Sequence, residues 1–177
     1  ITPNTSAILP VHVYGFPCDV VTIEEIAKEY SLRVVYDGAH VFSTEINGRS
    51  IGTFGDITMF SFHATKLFNT AEGGCLTYND NRLVDKIYNL RNFGIRNEDQ
   101  VADIGINGKM NEIQAALGLL NLKLYKEEQE KRKLIRMQYN RNLSGITGIR
   151  IPKLRADTTD SCQYYPIIIE ESFPVTR

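Results

Sequence analysis

The chain has 177 residues, 42% of them hydrophobic and 23% charged, a composition that fits about one globular domain and excludes disorder as a global description. Twenty Lys and Arg against 21 Asp and Glu leave a net charge of −1, so the charge balance offers nothing to nucleic acid or to an anionic membrane surface. With no apolar run of about 18 residues, and no basic segment followed by an apolar stretch at its start, the expectation is a cytoplasmic protein with neither membrane nor nucleic-acid partners.

Taken in chain order, Ala7 to Val13 is an apolar, β-branched run that reads as a strand, with Pro10 marking an edge or an irregular spot and Gly15 a stop. Thr22 and Glu25 form a capping box ahead of Ile23, Ile26, Ala27 and Tyr30 at helical spacing. Leu32 to Tyr36 is a short apolar run ending at Asp37, which predicts a strand buried on both faces and hence a βαβ unit with a parallel sheet. Turn signals at Asn47-Gly48 and Gly52 to Gly55 precede a third strand over Ile57 to Phe62, and Gly73-Gly74 leads into a fourth over Cys75 to Tyr78. Leu83, Val84, Ile87 and Leu90 mark an amphipathic helix beginning near Asn81. Met110, Ile113, Leu117, Leu120 and Leu124 mark a longer one that continues through the charged Lys126 to Lys133 stretch as a solvated face and ends at Gly145 and Gly148. Gln163 to Ile169 reads as a late strand beyond the polar loop Arg155 to Ser161.

Cys18, Cys75 and Cys162 fit neither a disulfide framework nor a zinc pattern and are expected to be free thiols. The chain opens without Met on the lead-in to a strand and stops at Pro174-Val175-Thr176-Arg177, which reads as a piece of a longer polypeptide.

Open α/β sheets bind ligands beyond the carboxyl ends of their strands. Asp37 and Ser61 stand at such ends, with His40 and Lys66 just past them. An aspartate closing an apolar strand either caps a turn or meets a cation, for which a protonated pyridine nitrogen would serve. Lys66, between Phe62 and Phe68, is either a snorkelling surface lysine or an amine that becomes nucleophilic in apolar surroundings and condenses with a carbonyl. Ser61, His63 and Thr65 can reach an anion, and Gly73-Gly74 permits close backbone approach. No G-x-G-x-x-G follows the first strand, which argues against a nucleotide-dependent oxidoreductase.

Several ordered segments together closely resemble the PLP-dependent nucleotide-sugar aminotransferases of the DegT/DnrJ/StrS family. They are Val11-His12-Val13-Tyr14-Gly15, Asp37-Gly38-Ala39-His40, Gly55-Asp56, Ser61-Phe62-His63-Ala64-Thr65-Lys66, Glu72-Gly73-Gly74, Gly105-Ile106-Asn107-Gly108-Lys109-Met110 and Glu112-Ile113-Gln114-Ala115-Ala116. The resemblance implies an α/β fold: the three-layer large domain of PLP transferases, a mostly parallel sheet with helices on both faces, truncated and followed by the start of a small α+β domain. The domain boundary it implies puts residues 1–145 in the large domain and 146–177 in the small one.

It implies pyridoxal 5'-phosphate as cofactor, Lys66 as the lysine that forms the Schiff base, and Asp37 as the carboxylate that keeps the pyridine nitrogen protonated. His40 falls near the cofactor's phenolic oxygen, Ala39 among its contacts, and Ser61 among its phosphate ligands. Asn107 resembles the asparagine that reaches the phosphate of a neighbouring subunit, which implies a homodimer with Gly105 to Ala116 at the interface. The implied activity is amino transfer, with glutamate as donor, to a nucleotide-linked keto-sugar in amino-sugar synthesis for a surface polysaccharide such as lipopolysaccharide or for a glycosylated metabolite. The alternative is a homologue or inactive fragment that binds PLP or a sugar nucleotide without turnover. Two departures stand out: the family's N-terminal Gly-Ser/Thr phosphate turn is not in this chain, and Gly38 stands where the family more often has Ala.

Overall fold

A computed structural model describes residues 1–174. Its main sheet has four strands in the spatial order Ala7–Ile8, Arg33–Asp37, Ile57–Ser61 and Gly74–Tyr78. The first three run parallel, and the fourth is antiparallel to the third. The residues between Ser61 and Gly74 contain no helix, so the chain has no crossover to carry it back to the start of a parallel strand and it reverses instead.

The first strand is shorter than its apolar run. Pro10 has no N–H for the ladder, and beyond it Asp37 is held by two backbone bonds, its N–H donating to Pro10 O at 2.9 Å and its carbonyl accepting from His12 N–H at 3.0 Å. The chain then tightens into a turn over Val13–Gly15, with Tyr14 at φ 54° and Gly15 at φ 87°. The helix Val20–Glu29 follows, capped by Asp19 and not by Thr22. Thr22 is Asp19's donor: its N–H and hydroxyl reach the carboxylate at 3.2 and 2.9 Å, because a carboxylate accepts from the first-turn amides better than a hydroxyl does.

The core lies between the sheet and its helices, with Val20, Tyr36, Val41 and Ile51 nearly or fully removed from solvent. An aromatic cluster extends it under the lysine loop. Phe42 stacks on Phe68 at 4.6 Å between ring centroids, Phe62 meets Phe68 edge-on at 4.8 Å, and Tyr125 closes on Phe42 at 5.4 Å. Tyr125 belongs to the helix Glu112–Leu143, which starts with a reciprocal Asn111/Gln114 capping box and ends at Ser144, just before Gly145 turns left-handed at φ 85°. The shorter helix, Leu83–Arg91, begins two residues after Asn81.

The segment read as a late strand pairs only over Ile168–Ile169, against Ile149–Arg150. Residues Asp160 to Tyr165 instead lie along the long helix, whose side chains claim their carbonyls: Gln129 donates to Asp160 O, Arg132 to Cys162 O and Gln163 O, and Arg136 to Tyr164 O. The charge run is therefore solvated on one side only. Lys131 pairs with Glu127 and Glu128 and Lys133 with Glu130 at the surface, while Arg132 and Arg136 turn inward. All three cysteines are free. Among the described residues no helix is long and apolar enough to cross a membrane.

Candidate active site

The parallel pairing of Arg33–Asp37 with Ile57–Ser61 sets Asp37 opposite Met59, so the two strands end side by side. Asp37 Oδ1 accepts from Ala39 N–H at 3.0 Å, the turn bond expected of a capping aspartate. Among the described residues no ion pair engages Asp37. The carboxylate has its anchoring donor and no cation. Gly38 N–H donates to Met59 O at 2.8 Å, and a Cβ at Gly38 would stand 2.8 Å from that oxygen and 2.9 Å from Thr58 Cγ2. With glycine here the two strands approach closely enough that an added Cβ would force the neighbouring backbone to shift.

Lys66 sits at the tip of a loop closed at its base by Phe62 N–H to Gly73 O and Thr70 N–H to Phe62 O, at 2.8 and 2.9 Å. Its own N–H donates to His63 O at 2.9 Å, and Asn69 Nδ2 donates to its carbonyl at 3.1 Å. With Phe68 anchored in the aromatic cluster, the lysine is presented from a braced loop. Lys66 Nζ donates to the Tyr164 hydroxyl at 3.3 Å and lies 5.6 Å from that ring's centroid.

His40 completes this group. Its ring packs edge-on to Tyr164 at 4.6 Å and parallel to Tyr14 at 5.9 Å. Its Nδ1 accepts from Tyr14 N–H at 3.0 Å, which puts the ring proton on Nε2. Burial holds its pKa below the ordinary histidine value and the Lys66 charge adds to the effect, against a smaller pull from Asp37. Burial and the Lys66 charge thus both favour the uncharged imidazole.

Ser61, Ala39 and Asn107 meet in a different place. They line one cleft of about 920 Å³ together with Gly73, Gly74 and Arg91. Gly73 has φ +151°, and a Cβ there would lie 2.5 Å from Thr70 Oγ1. Asn107 reaches the cleft from the loop before the long helix, where it bridges to Asn92. The structure thus gathers the six residues singled out from the sequence into two adjoining groups. His40 and Lys66 meet around Tyr164; Ala39, Ser61 and Asn107 share the cleft. Asp37 joins them through its bond to Ala39.

Sequence reasoning missed His12, Tyr14, Gln163 and Tyr164. The first two lie inside a quoted segment but nothing in their spacing assigns them a contact. Gln163 and Tyr164 are 96 and 98 residues from their partners Leu67 and Lys66, too far for any local pattern.

His12 carries a pH signature. It is fully buried, stacked on Tyr36 at 4.7 Å, with Nδ1 accepting from Cys18 N–H at 3.0 Å and Nε2 without a partner among the described residues. Burial lowers its pKa from 6.5 to about 4, with the Asp37 charge opposing. Between those values the unfolded chain takes up a proton that the folded chain refuses. Stability is therefore complete above the unfolded value and falls as the pH drops toward the folded one, by about 3 kcal/mol over the interval. Urea unfolding at about pH 7 and about pH 5 should show the loss, and His12→Asn, which keeps an acceptor for Cys18, should lose less. Equal losses in both proteins would remove His12 as the cause.

These groups fit a pyridine cofactor bearing a carbonyl and a phosphate. A free carboxylate stands at a strand end, an amine on a braced loop, and a serine and an asparagine with glycine backbone share the adjacent cleft. Comparison with known proteins points the same way. A family model described as the DegT/DnrJ/EryC1/StrS aminotransferase family matches residues 1–177. The dTDP-4-amino-4,6-dideoxy-D-glucose transaminase of Shigella dysenteriae is 44% identical over 177 residues, covering 100% of this chain and 48% of that protein. The crystal structure of DesI in the presence of its TDP-sugar product has 34% identity and a TM-score of 0.89, over 97% of this chain and 44% of that one. The PLP form of the putative sugar aminotransferase Spr1654 from Streptococcus pneumoniae has 26% identity and a TM-score of 0.88, over 97% of this chain and 50% of that one. The chain spans about half the length of the relatives it matches.

Proposed function

The chain belongs to the DegT/DnrJ/EryC1/StrS aminotransferase family, and on that footing we propose that it serves the PLP-dependent transfer of an amino group to a nucleotide-linked keto-sugar. The observation that carries the reading is the pairing of an uncompensated Asp37 carboxylate at a strand end with Lys66 on its braced loop. A binding module needs neither. Relatives acting on dTDP- and TDP-linked sugars support the substrate class, and the PLP form of Spr1654 supports the cofactor. Glutamate as donor and a cytoplasmic setting rest on the family resemblance.

When bound, pyridoxal 5'-phosphate supplies an electrophilic carbonyl and an electron-withdrawing ring. Asp37 would hold the proton on the ring nitrogen, since a carboxylate without a competing cation favours the charged donor. Lys66 would hold the group through its amine, which condenses with the carbonyl with loss of water, and its Nζ would serve as the site that accepts and returns a proton. Ala39 would face the ring, His40 would offer its Nε2–H toward the phenolic oxygen, Ser61 would donate to a phosphate oxygen, and Asn107 would reach the phosphate of a neighbouring subunit's cofactor.

A homodimer is part of the same reading. Gly74–Tyr78 is the outer strand of the sheet, and the helix Glu112–Leu143 leaves Ile113, Leu119 and Leu120 exposed, an apolar surface that invites cover. Residues 146–177 are read as the start of the small domain, supported by the separate pairing of Ile149–Arg150 with Ile168–Ile169. Amino sugars for a surface polysaccharide such as lipopolysaccharide, or for a glycosylated metabolite, are the proposed products. The test is borohydride reduction of the protein loaded with PLP, followed by peptide mapping: label on Lys66 is the expected result, and label on any other lysine overturns the assignment.

A further inference from the structure

The segment Asp160 to Tyr165 is bonded at both of its faces. On one, Gln129, Arg132 and Arg136 of the long helix take its carbonyls, and Arg136 also pairs with the Asp160 carboxylate. On the other, Ser161 Oγ donates to His40 O at 3.0 Å, and the Gln163 side chain reaches the lysine loop. Gln163 Oε1 accepts from Leu67 N–H at 2.5 Å and Gln163 Nε2 donates to Thr65 O at 3.1 Å. One side-chain amide therefore reads the two peptide groups that flank Lys66, as a neighbouring strand would. The next residue, Tyr164, takes the Lys66 amine itself.

We propose that Gln163 is a positioning residue for Lys66, holding the loop backbone so that the amine projects at a fixed height against the Tyr164 hydroxyl. A glutamine suits this role because it supplies one donor and one acceptor on a planar group, matching the C=O and N–H it faces. The Thr65 amide is taken by the neighbouring His63 ring at 3.2 Å, whereas Thr65 O and Leu67 N–H, the groups on either side of Lys66, both go to Gln163. The Arg132 and Arg136 bonds fix the segment to the helix, so the lysine's placement is tied to a long rigid element and not to its own loop alone. A displacement of the amine by about 1 Å is enough to cost orders of magnitude in a reaction that depends on near-attack geometry. The proposal rests on the reading that Lys66 is the residue that attaches PLP.

Two measurements test it, one without cofactor. In the cofactor-free protein, Gln163→Ala should lose hydrogen-exchange protection at the Leu67 amide while the core strands keep theirs. On mixing with PLP, the visible absorbance that reports attachment should rise about tenfold more slowly or worse. Gln163→Glu keeps the acceptor for Leu67 but turns a carboxylate oxygen on Thr65 O, so it should retain Leu67 protection and still attach slowly. Tyr164→Phe should leave Leu67 protected, which separates the amide's role from that of the ring. Attachment of Gln163→Ala at the wild-type rate, or loss of protection spread evenly over the chain, overturns the proposal. Borohydride label on a lysine other than Lys66 in the wild-type protein overturns the parent reading, an outcome distinct from both.

Discussion

Replacing Lys66 by alanine should abolish amino transfer, with turnover falling by about 10³-fold or more, while the unfolding midpoint hardly moves. The two halves of this expectation have different origins. The lysine stands at a loop tip, half-buried, bonded through its side chain only to Tyr164 OH at 3.3 Å. A single exposed-side contact of that kind contributes about 0–1 kcal/mol, and the aromatic cluster of Phe42, Phe62, Phe68 and Tyr125 that braces the loop does not involve the amine. Chemistry loses much more, because among the described residues Lys66 is the amine that meets Tyr164 beside His40. Removing a positioned proton carrier alone costs about 10²–10⁴-fold, and the covalent attachment is lost with it. Lys66→Arg separates charge from nucleophile: the guanidinium keeps the cation but does not give up its proton, so it should be as inactive as alanine. Single-turnover kinetics with an amino donor and a thermal melt on the same preparations measure both halves. Turnover of Lys66→Ala within tenfold of wild type would show that Lys66 is not the reacting amine.

The places of Asp37, Ser61 and Lys66 in the fold were legible because strand ends are legible; the roles assigned to them came from the resemblance. Asp37 and Ser61 close apolar runs, and Lys66 follows one, so their placement needed only the period of the strands and the rule that ligands sit beyond strand ends. What stayed hidden depends on partners distant in sequence or on competition between near neighbours. The antiparallel turn into Gly74–Tyr78 is decided by the lack of a helix after Ser61, whereas the apolar pattern of the strand is the same in either direction. Asp19 displaces Thr22 as the helix cap because both are good caps and the carboxylate is the better acceptor. Arg132 looked like part of a solvated charge run, yet it faces inward, as Arg136 does one turn later, because Asp160 to Tyr165 brings carbonyls against that side of the helix. Gln163 and Tyr164 looked like strand residues for the same reason: alternation records which residues prefer cover, and here the cover is a helix and a loop instead of a sheet.

Asp37→Asn should lower turnover by about 10- to 150-fold while leaving PLP affinity much less affected. The amide can keep the local structure. Asparagine Oδ1 accepts from Ala39 N–H as Asp37 does at 3.0 Å, so the turn that aims the side chain survives. What changes is the other arm, which becomes an NH₂ donor and cannot accept from a protonated ring nitrogen. A hydrogen bond to a charged group is worth about 1.5–3 kcal/mol, and each 1.36 kcal/mol is tenfold in rate, which sets the expected range. On the proposed reading, affinity should suffer less because the phosphate contacts and the attachment to Lys66 do not pass through the Asp37 carboxylate. Measuring kcat beside the dissociation constant for PLP distinguishes the two effects, and the His12 signature gives an internal control. The Asp37 charge is what raises the His12 pKa against burial, so in Asp37→Asn that pKa should fall further and the acid loss of stability should extend to lower pH. A variant that shows the His12 change but retains near wild-type turnover would prove the charge removed and Asp37 unnecessary to the reaction.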